Sequence, residues 1–315
     1  MVVTYGEALV DLIEQDDGNF AAMLGGSVCN FTLAVARQGL AATYLNPLSR
    51  DSFGNRFAAH LGAAGVALAS PGRSALPTSL AVVTLDAHKV PSYAFHRAAV
   101  ADRDIAPAQA IAGLPAAPLL FHTGGLALVP GDVDATLAVA MAAGEKGALL
   151  SIDANLRPLA EPDLAPYAAG VRRALALAHL VKVSEEDLLY LGLDDRDPVA
   201  AARTLFDGTA VRLVALTLGG QGAVLLSRAA EVALPVPRGV TVVDTVGAGD
   251  CFQAGLVASL HGAGALSMAA PDAPVLAQAL RYAIATASIN VMRKGCHPPL
   301  REEVEHFLMT TGEWT

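Results

Sequence analysis

Apolar and polar positions follow two periods along this chain, and each change of period marks an element. Residues 2–5 form a short apolar run that reads as a strand, and residues 8–13 resume it after Gly6 and Glu7. A polar turn at 14–18 leads to a second short strand at 20–24. Beyond Gly25 and Gly26, residues 31–39 carry helical spacing closed by Gly39, since glycine takes the left-handed helix end at little cost. A strand at 44–48, a helix from Asp51 to Leu61 and an extended piece from Val66 follow. Residues 79–86 and 92–97 read as strands about a turn at 87–91, and alternation puts Tyr93, Phe95 and Arg97 on one face.

From about residue 100 the rhythm is strand, then helix. Strands are expected at 119–122, 148–153, 180–183, 213–218 and 223–226, with helices near 131–146 and 163–178. Ser184-Glu185-Glu186-Asp187 is a helix-start signature. The apolar run 239–243 reads as strand or loop, residues 252–260 as a helix, and 262–274 as a surface connection. Such alternation predicts an α/β fold: a doubly wound, mostly parallel sheet with helices on both faces. The pieces at 11–24 and 76–98 are expected to form a small β lid, with 1–10, 25–75 and 99–315 as the main α/β domain. Ligands should gather at the carboxyl ends of the parallel strands.

Composition narrows the functional classes. A net charge of −9 over 315 residues argues against a nucleic-acid surface and does not point to a membrane. No stretch has the bulk of a transmembrane helix, and the N-terminus lacks the basic start of a secretory signal, so a cytoplasmic protein is expected. The cysteines, Cys29, Cys251 and Cys296, fit neither a zinc site nor a disulfide framework.

Several glycine-rich or polar segments sit at expected strand ends. In Asp244-Thr245-Val246-Gly247-Ala248-Gly249-Asp250, the glycines permit a tight turn that leaves amide groups facing outward. A helix starting there adds the positive end of its dipole, and Asp250 stands beside that anion nest. A carboxylate so placed can take a proton from a hydroxyl that attacks a bound phosphate. On its own the motif reads more simply as a capped turn with a solvated Asp. Gly25-Gly26 followed by Asn30, Asp153-Ala154-Asn155-Leu156-Arg157, Lys182-Val183-Ser184 and Thr217-Leu218-Gly219-Gly220-Gln221-Gly222 share the same kind of position. Neither a Walker A motif nor a G-x-G-x-x-G fingerprint after the first strand is present, which lowers P-loop and nicotinamide readings.

Gly25-Gly26-Ser27-Val28-Cys29-Asn30, followed by Ala34 and Gly39, resembles the N-terminal signature of the ribokinase-like (PfkB) carbohydrate kinases. The segment from Asp244 to Gly255 resembles their C-terminal signature. The resemblance extends to Asp51-x-Phe53-Gly54, Asp153-x-Asn155-Leu156-Arg157, Thr217 to Gly222 and Arg293-Lys294-Gly295. It implies transfer of the ATP γ-phosphate to a sugar hydroxyl. Asp250 resembles the catalytic base, and the amides of Gly247, Ala248 and Gly249 the anion hole. The resemblance places Asp11, Gly25, Gly26 and Asn30 at the sugar, Phe95 and Arg97 reaching in from the lid, and Arg157 beside the phosphates. It places Ser184, Thr217, Gly219, Gly222 and Gly249 along the nucleotide. Mg2+ is expected with ATP.

The sequence departs from the family where Ser184 and Asp187 replace its usual Asn-x-x-Glu; Asp187 keeps the charge of a metal-linked carboxylate on a shorter stem, and Ser184 reads equally as a helix cap. Residues after Gly295 leave a K+ requirement open. Gly6-Glu7-Ala8-Leu9-Val10-Asp11, Asp153-x-Asn155-Leu156-Arg157-Pro158 and Lys182-Val183-Ser184-Glu185-Glu186 look most like fructokinases. A 2-keto-3-deoxygluconate kinase is the alternative, since Arg97 would suit a carboxylate. A non-catalytic sugar sensor is the reading from another class. An exposed lid sheet is expected to be covered in a homodimer.

Overall fold

The computed structural model describes residues 1–70, 72–85, 91–193 and 196–311. The turn expected at 87–91 therefore lies almost wholly outside the described residues. Among the described residues the order is β1 (Val2–Thr4), β2 (Leu9–Glu14), β3 (Phe20–Gly25), α1 (Ser27–Arg37), β4 (Ala42–Tyr44), α2 (Ser52–Ala63) and β5 (Ala67–Leu68). There follow β6 (Ser79–Leu85), β7 (Pro91–His96), α3 (Pro107–Ala112), β8 (Leu120–Gly124), α4 (Val133–Glu145), β9 (Leu149–Asp153) and α5 (Leu164–Leu177). The chain continues through β10 (Leu180–Ser184), α6 (Glu185–Tyr190), α7 (Pro198–Arg203), β11 (Leu213–Thr217), β12 (Ala223–Ser227) and β13 (Glu231–Leu234). It closes with α8 (Ala248–Gly262), α9 (Ala273–Val291) and α10 (Arg301–Thr310).

The large sheet runs β13-β12-β11-β10-β9-β8-β1-β4-β5, parallel from β5 to β11, with β12 and β13 added antiparallel. Period-2 alternation splits its side chains between two cores. Val2, Leu120, Leu180 and Leu213 pack toward α1, α8 and α9. Ile152, Val181 and Val214 face α5, α6 and α7, while Val3, Phe121 and Leu150 face α3 and α4. Among the described residues no helix is long and apolar enough to cross a membrane.

The small sheet runs β3-β2-β6-β7, with β2 and β6 parallel and the outer pairs antiparallel. It stands over the carboxyl ends of the main sheet as a lid. The main sheet changes winding direction at β1: the chain builds outward to β4 and β5 on one side, then to β8 and beyond on the other. A crevice opens at such a switch point.

The structure refines the expected elements. The strand expected at 44–48 is β4, two residues earlier, and Pro47, which cannot donate to a ladder, lies past its end. Of the two readings of the run 239–243, strand or loop, the loop holds, with Val242 and Val243 exposed. Helices α3, α7, α9 and α10 and strand β13 were not foreseen.

Candidate active site

At the switch point, under the small sheet, lies a cavity of about 310 Å³. It is lined from below by Glu7, Gly26, Ser27, Asn30, Gly125, Asn155, Arg157 and Lys182, and from one side by residues 245–250. Leu9, Asp11, Ile13, Val83, Tyr93 and Phe95 close it from the lid. Tyr93 and Phe95 stack with ring centroids 6.0 Å apart, as expected for residues on one strand face.

Asp250 lies in the first turn of α8, buried at 8 % exposure. Its Oδ1 accepts from Ser27 Oγ at 2.8 Å and its Oδ2 from Asn30 Nδ2 at 2.9 Å. Both donors come from α1, so the two glycine motifs, far apart in sequence, meet at one carboxylate. Burial pushes the Asp250 carboxyl above its ordinary range, and the two hydrogen bonds and the charges of Lys182 and Arg157 counter it. Each carboxylate oxygen retains a lone pair for a substrate hydroxyl.

The local backbone shows why glycine is needed here. Gly26 has φ 98°, and a Cβ there would lie 2.6 Å from Glu7 O. Gly247 has φ 74° and opens α8 without a side-chain cap, and a Cβ there would lie 2.3 Å from Cys296 Sγ. The Ala248 amide turns back to Thr245 O at 3.2 Å. Among the described residues no hydrogen bond engages the amides of Gly247 and Gly249, so two of the three expected donors stand free at the helix N-terminus. The loop is held from behind. Asn290 Nδ2 donates to Val246 O at 2.8 Å, and Asp244 accepts from Val246 N at 3.0 Å and Gly295 N at 2.8 Å.

Opposite Asp250, Asp11 projects from β2, its carboxyl raised to about 6 by burial against the pull of Arg157. Gly25 does not line the cavity. It pairs with Leu9 across the β2–β3 ladder, and a Cβ there would meet Asp11 Oδ2 at 2.5 Å, so its bareness makes room for that carboxylate.

Arg97 is a correction. It falls one residue past β7, where the chain turns through Ala99 at φ 49°, and its side chain points away from the cleft. The guanidinium bonds Asp102 at 3.1 Å and Leu126 O at 3.0 Å, and lines a separate cavity. Ser184 and Asp187 are a second. Ser184 Oγ caps α6 by accepting from Asp187 N at 3.1 Å, and Asp187 Oδ2 accepts from Ser184 N at 2.8 Å. Asp187 Oδ1 takes Leu156 N at 2.8 Å. This buried carboxylate is spent on the backbone, tying the 155–157 loop to α6, and does not line the cavity. Thr217, Gly219 and Gly222 lie at the carboxyl end of β11, outside that cavity. Gly222 would press a Cβ against Leu234 O at 2.1 Å, a packing reason of its own.

Three residues were missed as site residues. Glu7 is 2 % exposed; Oε1 accepts Ser27 N at 3.0 Å, and Oε2 is buried without a partner. Burial raises its carboxyl to about 7 against the pull of Arg97. Ser27 lies inside the Gly25-to-Asn30 motif, where its sequence position alone marks no role. Lys182 Nζ bonds both oxygens of Asp153 at 3.0 Å, and the pair is almost fully buried.

The sequence profile of the pfkB family carbohydrate kinases matches residues 1–303. The chain belongs to that family. Among pfkB family relatives, it is 32 % identical to a fructokinase from Rhizobium leguminosarum bv. trifolii over 82 % of this chain and 79 % of that one. A fructokinase from Xylella fastidiosa, solved with bound ATP, superposes with a TM-score of 0.87 at 27 % identity, covering 98 % of each chain. An aminoimidazole riboside kinase from Salmonella enterica superposes with a TM-score of 0.81 at 26 % identity, over 98 % of this chain and 100 % of that one. The pfkB fold thus carries more than one sugar specificity.

Proposed function

We propose that this carbohydrate kinase phosphorylates the 6-hydroxyl of fructose, using ATP. The observation that carries the reading is Asp250, held by Ser27 and Asn30 at the free N-terminus of α8 and facing Asp11 across the cleft. Asp11, Gly26 and Asn30 form the sugar end, with Tyr93 and Phe95 over it. Asp250 takes the proton of the attacking hydroxyl. The amides of Gly247 and Gly249 receive the charge that grows on the transferring phosphoryl group; one such donor is typically worth about 3 kcal/mol. Arg157, at the exposed rim, adds positive charge. Thr217, Gly219 and Gly222 extend the site toward the rest of the nucleotide.

With Asp187 spent on the backbone, and no cluster of three or more acidic, His or Cys side chains among the described residues able to hold a metal, the protein offers no cage. The residues fit a Mg2+ that arrives with ATP and is held by phosphates and waters, where it neutralises phosphate charge. A K+ requirement and a homodimer covering the lid of segments 11–24 and 76–98 belong to the same proposal.

Fructose is favoured over 2-keto-3-deoxygluconate because Arg97 is already paired with Asp102. The sugar end presents the carboxyls of Asp11 and Glu7, which suit a neutral polyol better than an acid. A binder without turnover has no need of a fixed carboxylate beside free helix amides. An ADP-release assay over fructose, ketodeoxygluconate, ribose, tagatose and adenosine tests the reading. Fructose should give the highest kcat/KM; an advantage of about tenfold for ketodeoxygluconate, some 1.4 kcal/mol of transition-state binding, would overturn it.

A further inference from the structure

We propose that Lys182 is a further catalytic residue, its ammonium contacting the phosphoryl group in transfer; this rests on the kinase reading above. Lys182 sits near the carboxyl end of β10, and its side chain lines the cleft although only 6 % of it is exposed. Nζ lies 3.0 Å from each oxygen of Asp153. An ammonium has three donors. Two directed at Asp153 leave one.

What that donor faces is set by Gly249. A Cβ on Gly249 would lie 3.0 Å from both Cε and Nζ of Lys182, so the ammonium is packed against the first turn of α8. That turn carries the positive end of the helix dipole, roughly half a unit charge. A buried cation held against it is repelled. A pair that served the fold alone would gain nothing from this position. An anion at the free amides of Gly247 and Gly249 turns the repulsion into a joint attraction. Burial opposes the Lys182 charge, but the carboxylates of Asp153, Asp187 and Asp250 outweigh it and keep the ammonium protonated.

In the step, the sugar oxygen bonds to the γ-phosphorus and the bond from that phosphorus to the bridging oxygen of ADP breaks. The hydroxyl proton passes to Asp250. Lys182 keeps its proton throughout and supplies charge to the phosphoryl oxygens. Asp153 acts through Lys182 and is a positioning residue.

The test uses Lys182→Met alone and combined with Asp153→Asn, the second because a lone buried carboxylate can unfold the first. The double variant should melt near the wild type, bind ADP and fructose singly as the wild type does, and lose kcat by at least about 10²-fold. Its affinity for ADP with aluminium fluoride and fructose, a mimic of the transferring group, should fall by a similar factor. A double variant that folds and keeps kcat within about threefold would make the pair structural and refute the proposal. A wild type without turnover on any sugar would sink the kinase reading and this one with it, whereas an active wild type beside an active double variant sinks only the role of Lys182.

Discussion

Replacing Glu7 with Gln should flatten the dependence of stability on pH. Glu7 Oε1 accepts the Ser27 amide, while Oε2 is buried without a partner. Burial raises its carboxyl from 4.5 to about 7. The folded state therefore holds its proton more tightly than the unfolded chain does. Stability from this group is fully present below about pH 4.5, is lost as pH rises, and is gone above about pH 7. The rise from 4.5 to about 7 corresponds to about 3 kcal/mol, at about 1.36 kcal/mol per pH unit. Gln keeps the acceptor for Ser27 and cannot ionise. Its own burial cost does not change with pH, so it drops out of the difference. Urea unfolding of both proteins at pH 5 and pH 8, without ligand, reads it. The wild type should lose about 2.5 kcal/mol more than the variant over that interval, the rest being already lost by pH 5 as the unfolded carboxyl ionises. Parallel losses would mean that Glu7 is ionised in the folded protein at pH 5, and the burial argument would fail. Asp11, raised to about 6, adds to the fall in both proteins and cancels.

Gly247→Ala places a methyl 2.3 Å from Cys296 Sγ at a residue with φ 74°. It should cost about 1–3 kcal/mol by denaturant midpoint and lower kcat; adding Cys296→Ala should recover stability only in part, because the left-handed strain remains. Arg97→Ala breaks the pair with Asp102, at 10 % and 2 % side-chain exposure, and should destabilise by about 3–5 kcal/mol. Its effect on kcat/KM should be alike for fructose and ketodeoxygluconate; selective loss of the acid sugar would return Arg97 to the sugar site.

The legible parts of this protein are those that constrain backbone or period. Gly25-Gly26 and Gly247-x-Gly249 stand out because their turns need positive φ or a missing Cβ. Strand alternation correctly gave Tyr93 and Phe95 a common face but carried Arg97 along, since the end of β7 leaves no mark in the alternation. Helix α9 left a readable signal in Asp272, which caps it, and in the proline of its first turn. Its apolar residues spread around more than one face, which hides the period. Glu7 and Lys182 were missed for another reason. A charged residue in an apolar run looks exposed until its burial and its partner are known, and Asp153 is 29 positions away. Asp187 was over-read for the converse reason. Its charge suited a metal, and a capping box offers the same residues.

We propose Asp250 as the general base of a fructose kinase. Asp250→Asn keeps an acceptor for Ser27 and removes the carboxylate. Turnover of fructose with saturating ATP, measured beside calorimetric fructose binding, reads that role. A fall in kcat of at least about 10²-fold with fructose affinity retained is the predicted result. Near-wild-type turnover in that variant would exclude Asp250 as the base.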